Sequence, residues 1–405
     1  MLALLFQPDV QAQSSTSSPF SIFGIGEIET RDFGRTTAMG SVGIGFQSEN
    51  FLNRRNPAGL SGIDTLRFIL DVSAAVKFSE FRTSTDKEKA TNFNFKSLAV
   101  GVRLSKKWTS SAGLTPYSNA GYHLIKPQEI PDGSGVMNTH FTRSGGISKV
   151  YWGNAFEIFR GFSLGVTSSY IFGNITQNEE MDVFSIKDVY NVSKLHFDFG
   201  VQYSHWFGKY TNVTAGGVYG YKSEMFVQQT QMITSSNAIE RNQRQPDRKS
   251  YVPETYGAGF SILRNKNAAE WIFAADYQYW NWSVDPLHDK KKRYTDSQVF
   301  SAGLQITPNK QRPENYLQAL RFHLGASYNQ SCLKVNGYQM DDISVSVGVG
   351  FPFVNNRSYE RSYVNIAANF GESRTGHKGG ITERYALLSV NLSLIERWFA
   401  KRQWN

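Results

Sequence analysis

Side chains able to do chemistry are few in this chain, and they are scattered. The seven histidines, His123, His140, His196, His205, His288, His323 and His377, form no HExxH helix and no His-x-His strand pair, the spacings that aim two imidazoles at one metal. Cys332 is the only cysteine, so an internal disulfide, a CxxC pair and a cysteine-based zinc cluster are all excluded. His196 and Asp198 lie two residues apart in an alternating stretch and therefore share a face, yet no nucleophile elbow or third partner can be identified beside them. Gly43 and Gly45, like Gly348 and Gly350, hint at a phosphate cradle. The first pair lacks a following helix, and the second lies in a strand pattern, where glycine permits curvature instead. These patterns predict a non-enzymatic chain without catalytic residues, metal or cofactor.

Charge is the next chemical signal. Lys290, Lys291, Lys292 and Arg293 form the densest run. Its ordinary reading is a solvated loop, and its functional one is contact with lipopolysaccharide phosphates, favourable by about 1 kcal/mol per basic residue near an anionic membrane surface. The formal charge of +9 raises the question of nucleic acid. No basic helix, RNP-like strand or zinc finger accompanies it, so outer-membrane lipid and lipopolysaccharide are the expected partners and nucleic acid is not.

The elements that position these residues are strands. Aromatics make up 14% of the 405 residues although mean hydropathy is −0.40, so apolar groups must be dispersed among polar ones. No run of about 18 apolar residues appears, which excludes a conventional transmembrane helix. From Arg67 to Phe78 the even positions are all apolar while the odd ones include Arg67, Asp71, Ser73 and Lys77. The same beat returns over 162–172, 195–203, 320–328, 343–351 and 388–394. Strands are expected near 66–78, 93–104, 108–117, 142–158, 161–174, 193–206, 211–230, 254–264, 269–282, 296–307, 316–331, 341–352, 361–371 and 383–395. A soluble sandwich alternates too, but its connections have no cause to be unequal. Here tight turns such as 105–107, 160–161 and 265–267 alternate with long polar segments at 79–92, 118–141, 175–192, 231–253 and 283–295. That asymmetry fits periplasmic turns and external loops. Aromatic clusters such as Tyr277, Tyr279, Trp280 and Trp282, or Trp206 and Phe207, fall near strand ends, where rings favour the headgroup layer. The fold expected is all-β, a transmembrane antiparallel barrel of about 14 strands over residues 65–396.

Residues 1–12 read as a remnant signal peptide, a short apolar stretch closed by Val10, Gln11 and Ala12, although an ordinary disordered N-terminus has the same composition. Residues 13–64 do not alternate, yet they carry Phe20, Phe23, Phe33, Phe46 and Phe51 among many glycines. Such residues need burial. A barrel of about 14 strands has a lumen wide enough to hold them as a hatch, the alternative being a thin separate periplasmic domain. Residues 397–405 are expected to form a periplasmic tail.

Two strings in that segment carry a resemblance. Ala38-Met39-Gly40-Ser41-Val42-Gly43-Ile44-Gly45, and Asn56-Pro57-Ala58-Gly59-Leu60 directly before the first strand, resemble the N-terminal hatch of FadL-like outer-membrane proteins of the OmpP1/FadL/TodX type. The tail from Glu396 to Arg402 resembles such proteins of Bacteroidota. The resemblance implies a 14-stranded barrel in the outer membrane, plugged by the hatch, with ligand taken up outside and released sideways through a kinked strand. Gly113 and Pro116 interrupt the third strand and would be that kink; equally, Pro116 could simply end the strand, since proline has no N–H to donate to a ladder.

Two functions follow. One is a channel for passive uptake of small hydrophobic, fatty-acid-like compounds, gated by the hatch around Asn56, Pro57, Ala58, Gly59 and Leu60. The other is a non-enzymatic structural or docking subunit of an outer-membrane secretion or barrel-assembly complex, a role the resemblance also allows. The channel is the first expectation and the subunit its alternative; no motif here matches a ligand pocket, so the substrate follows from the resemblance alone.

Overall fold

The computed structural model describes residues 17–22, 24–129, 136–181, 184–235, 238–246, 248–266, 268–282, 294–310, 313–335, 337–354, 361–376 and 380–397. The expected signal peptide, the basic run Lys290 to Arg293 and the tail beyond Arg397 lie outside the described residues. The N-terminal segment contains β1 (Glu27–Ile28) and three short 3-10 turns, Pro19–Ile22, Arg35–Met39 and Pro57–Gly62. The wall begins with β2 (Arg67–Arg82), β3 (Lys87–Arg103), β4 (Trp108–Glu129), β5 (Val136–Phe159), β6 (Phe162–Glu180) and β7 (Phe184–Phe207). Next, β8 (Thr211–Gly220) and β9 (Ser223–Ser235) are two parts of one crossing, as β10 (Ala238–Arg244), β11 (Arg248–Val252) and β12 (Glu254–Lys266) are of the following one. The ring is completed by β13 (Ala269–Asn281), β14 (Ser297–Thr307), β15 (Arg321–Val335), β16 (Tyr338–Val354), β17 (Arg361–Thr375) and β18 (Thr382–Arg397).

Neighbouring crossings pair antiparallel, and β18 pairs with β2 from Thr382↔Arg82 to Arg397↔Arg67. The sheet therefore closes on itself as a barrel of 14 crossings. No described helix is long and apolar enough to cross a membrane.

Burial along each strand is inverted relative to a water-soluble protein. On β7, Leu195, Phe199, Val201 and Tyr203 are exposed, whereas His196 and Gln202 between them are buried. On β16, Ile343, Val345 and Val347 face out while Asp342, Ser344 and Ser346 face in. Apolar surface can sit outside only if hydrocarbon surrounds it, and a polar interior suits a lumen.

Each of the expected strands is present, but the expected long loops at 79–92, 118–141, 175–192 and 231–253 are largely strand where they are described, and 283–293 lies outside the described residues. β4 and β5 run on to Glu129 and from Val136, and β6, β7, β9 and β10 likewise extend through the polar segments. A strand that has left the bilayer has no lipid side to fill with apolar residues, so period-two hydropathy fades while backbone pairing continues. β5 and β7 have 24 residues each and β14 has 11, against the 9 to 11 or so needed to cross. The wall thus stands tall from β4 to β10 and low on the other side.

Three smaller corrections follow. The crossing expected over 211–230 is interrupted at 221–222. Tyr316–Ala319 forms one helical turn rather than strand, capped by the Asn315 side chain, which accepts from Gln318 N–H at 3.1 Å. Of the aromatic cluster on β13, Tyr277 faces outward, but Trp280 and Trp282 line the lumen, with Trp282 buried.

Placing a cation on the lipid face near the middle of the wall should be costly. Val347→Lys is expected to destabilise the barrel by about 2–4 kcal/mol, read from urea unfolding in vesicles, whereas Val347→Leu should be nearly silent.

Candidate functional site

The Asn-Pro-Ala-Gly-Leu string builds its own turn. Asn56 accepts a hydrogen bond from Ala58 N–H through Oδ1 at 3.0 Å, and Pro57 occupies the first turn, where a missing N–H costs nothing. The Asn56 amide nitrogen then reaches outward to the wall, donating to the carbonyls of Ile44 at 2.8 Å and Val201 at 3.1 Å. Gln202 on β7 donates to the same Ile44 carbonyl at 2.8 Å. One side chain therefore joins the turn, the glycine-rich string and the barrel.

The glycine-rich string is also fixed from β13, three crossings further round the ring. Asp276 on β13 accepts from the backbone amides of Gly43 at 2.6 Å, Ile44 at 2.8 Å and Gly45 at 3.4 Å. Successive N–H groups converging on one carboxylate make an anion nest, here filled by the protein's own side chain. Asn53 donates to the carbonyls of Gly43 and Phe46, both at 2.7 Å, closing the loop from within.

Close approach needs bare backbone on the wall as well. A Cβ at Gly200 would lie 2.1 Å from Asn56 Oδ1, at Gly216 2.0 Å from Ile44 O, at Gly165 2.3 Å from Ala58 N and at Gly303 2.4 Å from Met39 O. Gly165 pairs with Gly200 across β6 and β7, so two of these gaps form one shelf under the turn. Strands on opposite sides of the ring thus touch a single segment, which only a path through the lumen allows.

Charged groups finish the seating. Arg54 lies 3.0 Å from Asp32 and 3.5 Å from Asp71 on β2, and Arg31 lies 2.8 Å from Asp342 on β16 and also bonds the Tyr385 hydroxyl. Lys96 on β3 meets Glu29 at 2.8 Å. Burial alone would raise Glu29, but the Lys96 ammonium and its hydrogen bond, with Arg31 and Lys77 nearby, outweigh it and hold the carboxyl below its usual range.

Above the segment lies a cavity of about 340 Å³. Its wall sets Lys77, Lys96, Lys149, Arg31, Arg54 and Arg55 against Glu27, Glu29, Asp32, Asp198 and Asp342, with Tyr117, Tyr151 and Trp280 among them. Apolar side chains, among them Phe33, Leu60, Met340 and Leu387, share the lining with these charges in about equal measure.

His196 and Asp198 do have the third partner that the sequence did not reveal. His196 Nε2 lies 3.2 Å from Asp198 Oδ1, and Nδ1 lies 3.1 Å from the hydroxyl of Ser223 on β9, with Tyr221 stacked on the ring. Ser223 is buried and stays off the cavity wall. A nucleophile must meet its substrate, so this trio reads as a polar bridge across the break between β8 and β9.

The structure brings Asn56, Pro57, Ala58, Gly59 and Leu60 into one buried turn. Pro116 stands where the pairing of β4 with β5 shifts register, and Gly113 lies under Tyr151, whose ring a Cβ would approach to 2.8 Å. Asp276, Gln202 and the Lys96–Glu29 pair were missed in the sequence. Their signal, an inward polar residue in an alternating strand, is shared by most of the wall.

A closed barrel with a lipid-facing exterior and a segment threaded through its lumen defines an outer-membrane protein of the FadL/TodX fold. The Pseudomonas putida toluene transporter TodX superposes with a TM-score of 0.59 at 14% identity, over 91% of this chain and 99% of that one. The Ralstonia pickettii toluene transporter TbuX gives 0.57 at 13%, over 91% and 98%, and the CymD monoaromatic hydrocarbon channel 0.55 at 13%, over 94% and 100%. Identities this low establish shared fold alone. The family model described as BamG matches residues 1–405, and the chain belongs to that family. No curated protein matches it.

Two outcomes test the seating. Asp276→Ala strands three amides at a cost of about 1–3 kcal/mol for each that finds no water, so hydrogen exchange at 43–45 should accelerate while barrel strands stay protected. Because the Glu29 carboxyl sits below its usual range when folded, the stability it contributes is complete above that range and is lost as pH falls through the folded value. A barrel titrated from pH 7 to 3 should loosen around 25–31 by exchange, and Glu29→Gln should be loosened at both ends of the titration.

Proposed function

We propose that this chain is a non-enzymatic structural or docking subunit of an outer-membrane barrel-assembly or secretion complex, with residues 13–64 acting as a hatch that keeps the lumen shut. The observation that carries this reading is the fastening of the segment to strands all around the ring, through Asp276, Gln202, Asn56, Arg31, Arg54 and Lys96. A ligand small enough to fit the cavity would have to break several of these bonds together to pass. The tall, polar wall from β4 to β10 supports the same reading, because paired strands rising beyond the bilayer present a firm surface to another protein. Membership of the BamG family agrees with it.

A second reading has its own support. The fold is that of proteins described as toluene transporters and a hydrocarbon channel, and the cavity of about 340 Å³ would hold a small aromatic or fatty-acid-like compound. Passive uptake would then be gated by the turn Asn56 to Leu60, with sideways release beside Gly113 and Pro116. Against it stands the ring of buried charges, which an apolar solute would have to desolvate without return.

Extraction from native membranes separates the two. The docking reading expects stoichiometric partner proteins that survive purification, and a complex that persists in Gly200→Leu, which should unseat the hatch. The channel reading expects a monomer carrying bound lipid or hydrocarbon, and faster uptake in that variant.

A further inference from the structure

One stretch of the wall is not closed by the ordinary ladder. β3 pairs with β2 along its length, from Val102↔Phe68 to Lys87↔Arg82. With β4 it pairs only from Arg103↔Thr109 to Leu98↔Leu114. Beyond that point β4 continues to Glu129, held on its far side by β5, and its near edge is taken by the N-terminal segment over Tyr117 to Gly121. β1 adds there as a strand, Glu27↔Asn119 and Ile28↔Ser118, and Glu29 N–H donates to Tyr117 O at 3.0 Å and Ser18 N–H to Gly121 O at 2.9 Å. Between β1 and β3 the described link is made by side chains, Lys96 Nζ to Glu29 Oε2 at 2.8 Å. Among the described residues no strand lies against the β4-facing edge of β3 over 87–97.

Part of that edge borders the membrane. Phe93 and Phe95 are 64% and 46% exposed on the outward face, so this part of β3 borders lipid. In an antiparallel strand, backbone N–H and C=O groups point alternately to either side, so about every second residue of 87–97 directs both groups into the gap. Level with Phe93 and Phe95 hydrocarbon offers them nothing, and each unpaired group there costs several kcal/mol, whereas Lys87, Glu88 and Lys89 carry the end of the edge into water. A row of donors and acceptors alternating at strand spacing is matched by another extended backbone; lipid tails carry no such groups, and headgroups do not repeat at that spacing. Part of the opposite edge, from Tyr117 to Gly121, is already completed in that way by β1 and its neighbours.

We propose that the edge of β3 at residues 87–97 is a strand-addition site, which receives an extended segment of a partner protein and so closes the wall. The inference deepens the docking reading and rests on it. The partner strand runs beside β3 with its outward side chains level with Phe93 and Phe95 and therefore apolar, and its inward ones near Lys96 and Asn94.

Hydrogen exchange reads the backbone directly. In the purified chain in lipid nanodiscs, a peptide spanning 87–97 should show a fast-exchanging half, the amides turned toward the gap, beside a slow half paired with β2. In the complex extracted from native membranes the fast half should be lost. Benzoylphenylalanine in place of Phe93 should crosslink to one protein in that complex, and in place of Val390, on the lipid face of β18, should not. A complex that keeps its partners but leaves 87–97 exchanging as in the isolated chain overturns the strand addition and leaves the docking reading standing. Full protection of 87–97 in the isolated chain overturns it too, by showing the edge already closed. Recovery of the chain alone from native membranes overturns the docking reading itself.

Discussion

Inside a bilayer no water accepts the hydrogen bonds of a peptide group, so a chain that crosses as strands must satisfy its backbone sideways, and the sheet must return to its own first strand. The rest of this structure follows from that constraint. Closure of β18 on β2 leaves one face of every strand to hydrocarbon and the other to the lumen. Lipid accepts Leu195, Phe199 and Val347; the lumen can take Gln202, Asp276 and Asp342 because other polar groups meet them there. A ring of 14 crossings also encloses more space than its own side chains fill, and residues 18–63 occupy it.

The segment is held by apolar packing, in which Met39, Phe46, Leu52 and Leu60 are buried against the wall, and by charges and amides, and the two kinds of contact do different things. Buried ion pairs add little net stability, since desolvation of two ions offsets their attraction, but removing one partner is costly. Such contacts therefore specify position more than they strengthen it. Asp276 accepts only from a backbone that presents Gly43, Ile44 and Gly45 together, and Arg54 must lie between Asp32 and Asp71. The glycines opposite, Gly165 and Gly200 above all, admit the turn at 56–58 only because they carry no Cβ. The segment thus has one seat and one orientation in it.

Much of the wall was legible in the sequence because lipid imposes a strict rule on every second side chain. The stretch from Arg67 to Phe78 shows it without exception, and each expected crossing has its counterpart. Legibility ended where lipid ends. Residues 118–129 and 184–194 keep their strand pairing in water, where nothing forces alternation, and they read as loops. The turn at 56–60 could be recognised as a string, but its partners could not, because Gln202 and Asp276 look like any other inward polar residue. Ser223 escaped for a related reason: it reaches His196 across a sheet break at 221–222 that has no counterpart in the alternation.

The N-terminal segment plays two parts that are usually separate. Its middle fills the lumen, while β1 and Ser18 complete the edge of β4 that β3 leaves unpaired. Moving the segment far enough to open a path would therefore strip Ser118, Asn119 and Tyr117 of backbone partners at the same time as it broke the Asp276 nest. With about 1–3 kcal/mol lost for each buried group left unsatisfied, several such losses together approach the whole stability of an ordinary domain, about 5–15 kcal/mol. A freely diffusing small solute brings no binding energy of that size. A strand laid along β3 and β4 would restore only the bonds at the β4 edge, and the Asp276 nest on β13 would stay broken. The two attachments together favour a segment that stays seated over one that yields to hydrocarbon.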